Sequence, residues 1–68
     1  MPDYYVNTNP QPTGEHEVHQ KHCSHPALDI HKHQLGSFTN CFDAVLAARK
    51  IYGNVDGCAY CCPICHTK

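Results

Sequence analysis

Gly57-Cys-Ala-Tyr-Cys-Cys-Pro-Ile-Cys-His-Thr67 holds four of the chain's six cysteines. Two C-x2-C pairs lie there, Cys58/Cys61 and Cys62/Cys65, and a third spacing, Cys61-x3-Cys65, crosses them. Thiols at this density call for a partner, and His19-x3-Cys23 supplies one about 40 residues upstream. Structural zinc takes four N or S ligands in a tetrahedron, commonly as two short-spaced pairs from distant segments. The two segments therefore read as halves of one Zn2+ site that closes the chain on itself. Spacing leaves the tail pair open between Cys58 with Cys61, Cys62 with Cys65, and Cys61 with Cys65. His66, beside Cys65, competes for the fourth position.

The rest of the chain explains why a metal is needed. Sixty-eight residues form one domain, 1–68, with no Trp and only two Phe. The mean hydropathy is -0.50. A domain of this size buries roughly 60% of its unfolded surface, and usually needs a disulfide, a metal or a partner. Six Cys and seven His together favour metal. Met1-Pro-Asp-Tyr-Tyr-Val-Asn7 has neither a basic nor an apolar leader segment. The expected setting is cytoplasmic and reducing, where such clusters bind metal more often than they form disulfides. No stretch is long and apolar enough to cross a membrane. The formal charge of -1 and five scattered basic residues give no electrostatic case for nucleic acid.

The fold class expected is small α+β: a β-hairpin plus one helix, closed by the zinc site. Tyr4-Tyr-Val6 and Glu15–His19 are β-prone and flank a run of turn formers, Asn7 to Gly14. Tyr5 and Val18 are the inward candidates. Residues 26–34 read as a loop with Leu28 and Ile30 touching the core, and Leu35–Phe38 as a short strand or lead-in. The helix spans residues 41–52. Asn40 caps it, Asp43 meets its unpaired N–H groups, and Gly53-Asn54 stops it. Cys41, Ala44, Val45, Ala48, Ile51 and Tyr52 share one arc at helical period. Asp56-Gly57 then turns the chain into the cysteines.

Taken in order, Tyr4–Val6, His19-x3-Cys23, a capped helix with Ala44–Ala48 and Cys58-x2-Cys61-x-Pro63 resemble a known module. It is the small metal-binding module related to the N-terminal domain of the Ada DNA-repair protein, also found as a tail on some nucleases and DNA-uptake proteins. The resemblance covers residues 4–63, and the chain is also similar to small stand-alone bacterial proteins. It implies His19, Cys23, Cys58 and Cys61 as ligands and says nothing for Cys41, Cys62, Cys65 or His66. Ada carries four thiolates, one of them methyl-accepting. Histidine at the first position here departs from that pattern and weakens alkyl transfer.

The remaining groups divide simply. Cys62-Pro-Ile-Cys65 has the form of a redox pair, but lacks the helix such a pair normally opens. Cys62 and Cys65 read better as outer or alternative ligands. Cys41 reads as a buried thiol, able to bridge to Cys58 or Cys65 under oxidising conditions. His16, His22, His25, His31 and His33 read as surface residues, with His25, His31 and His33 a candidate second site for Ni²⁺ or Cu²⁺. The function expected is a monomeric, non-enzymatic zinc module that binds a partner, protein or nucleic acid. The rival is a thiol-reactive, redox or metal-handling protein using the spare Cys and His.

Overall fold

The computed structural model describes residues 1–67. The chain runs β1 (Asp3–Asn7), β2 (His16–Gln20), a 3₁₀ turn (Asp29–His31), β3 (Lys32–Ser37), α1 (Cys41–Arg49), β4 (Val55–Gly57) and a second 3₁₀ turn (Pro63–Cys65). The strands form one sheet in the order β3-β1-β2-β4. The architecture is small α+β, as expected, but the hairpin is the centre of a four-stranded mixed sheet.

β1 and β2 pair antiparallel with Tyr5 opposite His19 and Val6 opposite Val18. Side chains alternate across a strand, so this register separates two faces. Tyr4, Val6 and Val18 face the helix and join Ala44, Val45, Ala48 and Val55 in the core. Tyr5 and His19 lie on the opposite face, where their rings stack 5.2 Å apart. Tyr5 and Val18 are both buried, as expected, but in different environments.

β3 begins at Lys32, inside the segment read as a loop, and pairs antiparallel with β1 through a register shift at Tyr4/Tyr5. Leu28 and Ile30 are not core contacts. They are 68% and 83% exposed, Leu28 just before and Ile30 within a 3₁₀ turn that buries none of its residues. β4 was not anticipated. Val55–Gly57 pairs parallel with β2, His16 to Val18, and Asp56 and Gly57 are strand residues where a turn was expected.

The helix begins as its cap requires, with the Asn40 side chain accepting a hydrogen bond from the Asp43 N–H at 3.0 Å. It ends at Arg49, three residues before the expected Tyr52. The Lys50 and Ile51 N–H groups donate to carbonyls three residues back, Ala47 and Ala48, which tightens the last turn. That rotation leaves Ile51 46% exposed. Tyr52 instead turns to stack on His16 at 3.7 Å. His16 is therefore a packed residue rather than a surface one, and its Nδ1 lies 2.8 Å from the Asn7 carbonyl.

Candidate metal centre

The site is assembled from three parts of the fold. His19 is on β2, Cys23 is in the turn that follows it, and Cys58 and Cys61 follow β4. Parallel pairing of β2 with β4 brings the parts together, since the Cys58 N–H continues the ladder by donating to the Val18 carbonyl at 2.9 Å. A ligand 39 positions away in sequence is thereby fixed beside the strand that carries His19.

The donor atoms of His19, Cys23, Cys58 and Cys61 all lie within 4.8 Å of one another, and three of the four residues are buried. The Cys23 and Cys58 sulfurs are 3.7 Å apart, and Cys61 Sγ is 3.9 Å from His19 Nδ1. A tetrahedron with metal–sulfur bonds of about 2.3 Å has sulfur–sulfur edges of about 3.8 Å. The cluster is close to that size and can hold a metal ion.

The surroundings suit thiolates. The backbone N–H groups of His25 and Tyr60 donate to Cys23 Sγ and Cys58 Sγ, each at 3.4 Å. The Gln20 N–H donates to Cys61 Sγ at 3.3 Å. Each cysteine turn thus aims an amide at its own first sulfur, and strand β2 supplies the third. Such N–H groups stabilise negative charge on sulfur. The side chains two residues past Cys23 and Cys58, those of His25 and Tyr60, stack at 3.6 Å and tie the two cysteine turns together.

His19 is prepared in the same way. Its Nε2 lies 3.4 Å from Glu17 Oε1, which leaves Nδ1 directed at Cys61. An outer carboxylate on the far nitrogen fixes the tautomer and orientation of a metal-binding imidazole. Burial, helped by the Lys32 charge, lowers the His19 pKa to about 4, so the ring is neutral near pH 7. Burial pushes the Cys58 and Cys61 thiols up. Without a cation these sulfurs retain their protons, and a bound metal supplies the missing positive charge.

The other tail residues do not join the cluster. Cys62 is buried in the core, although its sulfur is 3.9 Å from that of Cys61. Cys65 is disulfide-bonded to Cys41, so Cys41 is not the free buried thiol expected but makes one of the two bridges allowed for it. This pairing separates Cys62 from Cys65 and removes the redox-pair reading of Cys62-Pro-Ile-Cys65. His66 Nδ1 is engaged with the Gly57 carbonyl at 2.9 Å and with Asp56 Oδ2 at 3.2 Å. His22, His25 and His33 are exposed and His31 half-buried. Among the described residues, only His19, Cys23, Cys58 and Cys61 form a group of three or more donors close enough for one ion, so His25, His31 and His33 do not make a second such group. Sequence reasoning missed Glu17 and the His25–Tyr60 stack. Glu17 had a signal, because residues two apart on a strand share a face.

No family model matches the chain, and no curated protein or solved structure shows significant similarity to it. No helix among the described residues is long and apolar enough to cross a membrane.

Proposed function

We propose that the protein is a small structural-zinc module without catalytic chemistry of its own, serving as a binding or interaction domain. The observation that carries this reading is the closed donor set, one imidazole and three sulfurs with all four donor atoms within 4.8 Å. Four protein ligands leave no position for water or substrate, which is the arrangement of structural rather than catalytic zinc. N and S donors in this mixture suit zinc better than calcium, magnesium or manganese. The Ada-type resemblance supports the same ligand set on motif grounds, and the sparse basic residues favour a protein partner over nucleic acid.

Metal in this site acts on stability. Structural zinc contributes on the order of 10 kcal/mol in small peptides, comparable to the net stability of a whole domain. The thiol-reactive reading has less to stand on. Two of the three cysteines outside the metal cluster are bonded to each other, and the third, Cys62, is 1% exposed.

The test is native mass spectrometry for metal stoichiometry, combined with amide NMR before and after chelation. One zinc per chain and collapse of amide dispersion on chelation are expected. Unchanged dispersion after complete metal removal would refute a structural role.

A further inference from the structure

Helix α1 buries Cys41, Ala44, Val45 and Ala48 against the sheet, but its outward side is not uniformly polar. Phe42 and Leu46 are 51% and 56% exposed, and Ile64, on the second 3₁₀ turn, is 72% exposed. These three side chains border one open groove of about 250 Å³, and Arg49 lines it as well. The Cys41–Cys65 bridge ties the turn that carries Ile64 to the first residue of the helix, so both walls of the groove are held together.

At 3.6 residues per turn, Phe42, Leu46 and Arg49 form one stripe along the helix. Asp43 and Lys50, both exposed, form the stripe beside it. We propose that this face binds the same face of a second copy of the chain, the two α1 helices lying antiparallel across a two-fold axis at Leu46.

The charge pattern selects that arrangement. With a rise of about 1.5 Å per residue, Asp43 lies about 4.5 Å before Leu46 and Lys50 about 6 Å after it. A two-fold axis reverses one helix, so Asp43 of each copy comes within about 1.5 Å, along the axis, of Lys50 of the other. Both sit on the same edge of the contact. On the opposite edge, the same reversal sets Phe42 beside Arg49 of the second copy, an aromatic face meeting a guanidinium. A parallel two-fold alignment would instead set the Asp43–Lys50 edge of one copy against the Phe42–Arg49 edge of the other, bringing Lys50 beside Arg49 with no opposite charge to pair either. Antiparallel helices also oppose their dipoles favourably.

The size of the patch sets the strength. A half-exposed Phe contributes on the order of 100 Å², and Leu46, Ile64 and the Arg49 stem bring each copy to roughly 450 Å². The total, roughly 900 Å², lies below the roughly 1,200–2,000 Å² of stable interfaces and in the range of weak, transient ones, so a weak, concentration-dependent dimer is expected.

Sedimentation equilibrium of the metal-loaded, oxidised chain from about 1 µM to about 1 mM tests this directly. A reversible monomer–dimer equilibrium is expected, weakened at least about 30-fold by Leu46→Glu. Asp43→Lys and Lys50→Asp should each weaken it about threefold to tenfold, and the double variant should recover most of that loss. The three positions changed, Asp43, Leu46 and Lys50, are all exposed, and amide NMR confirms that each variant keeps the fold. A monomer across the whole range would overturn the proposal and leave the face to a different partner. A dimer indifferent to Leu46→Glu, or charge reversals without mutual rescue, would overturn it as well.

Discussion

Gly57, the last residue of β4 before Cys58, lies against Cys62 and Cys65, and a single methyl group there tests how tightly these parts are joined. A Cβ at this position would stand 2.6 Å from Cys65 Cβ and 2.9 Å from both the Cys62 carbonyl oxygen and the Cys65 carbonyl carbon. Carbon pairs rest at about 3.5–4.0 Å, so the nearest contact falls about 1 Å short. Neither side can yield freely. Gly57 is held in β4 opposite Val18, Cys65 is bonded to Cys41, and the Cys62 N–H donates to the Cys58 carbonyl at 2.8 Å. Overpacking of this kind costs typically 1–3 kcal/mol, and the restraints put Gly57→Ala near the upper end, at about 3 kcal/mol. A loss of that size is a large fraction of a small domain's stability. β4 runs directly into Cys58, so part of the strain should appear as weaker metal binding, about tenfold or more. Urea unfolding at buffered free zinc measures the first effect, and competition with a chromophoric chelator measures the second. An alanine variant with unchanged urea midpoint and unchanged affinity would show that the turn at 62–65 is not packed on β4 as described.

Three further outcomes follow from the site and the bridge. Glu17→Ala removes the carboxylate that orients His19, and should weaken zinc binding about 10-fold to 100-fold while leaving stoichiometry at one ion; an unchanged competition titration would rule that role out. The Cys41–Cys65 bridge closes a segment with a sequence separation of 24. Loop-closure entropy for that length predicts a loss of about 3.5 kcal/mol in a Cys41→Ser/Cys65→Ser double variant, read as a lower urea midpoint with zinc still bound. For pH dependence, burial holds Cys58 and Cys61 above the ordinary thiol range in the folded site, and unfolded thiols, at about 8.5, are also mostly protonated at pH 7, so the metal-free chain carries these protons either way. His19, lowered to about 4, is already neutral there. Loading zinc therefore releases protons chiefly from sulfur, and affinity falls as pH falls. Calorimetry in buffers of different ionisation enthalpy should record at least two protons released per zinc, and a value near zero would contradict the assignment.

The local features were legible because short-range physics decides them. Asn40 and Asp43 started the helix where the cap rule put it, since the bond between them spans only three residues. The Tyr4–Val6 and Glu15–His19 segments paired because turn formers separate two β-prone runs. His19-x3-Cys23 and Cys58-x2-Cys61 announced metal chemistry because each spacing lets one turn aim two donors at a common point. The loop reading of residues 26–34 failed at 32–34, where β3 begins, for the converse reason. Lys32 and His33 have no strong strand preference, and they became strand because β1 offered an open edge.

From residues alone came an α+β chain with the donors to hold a metal, His19 and Cys23 upstream and an undecided pair in the tail, for which only the Ada-type resemblance pointed to Cys58 and Cys61. The tertiary structure is what physically separates those two from Cys62, Cys65 and His66, which are as close in sequence and as capable chemically. Three long-range pairings make that separation. β4 adds to β2 in parallel and carries Cys58 to His19, the bridge to Cys41 removes Cys65, and Asp56 with the Gly57 carbonyl occupies His66. A spacing rule sees how far apart two donors lie along the chain. Which sulfur faces the ion and which faces the core is set by the strand register that turns Val18 inward and His19 outward.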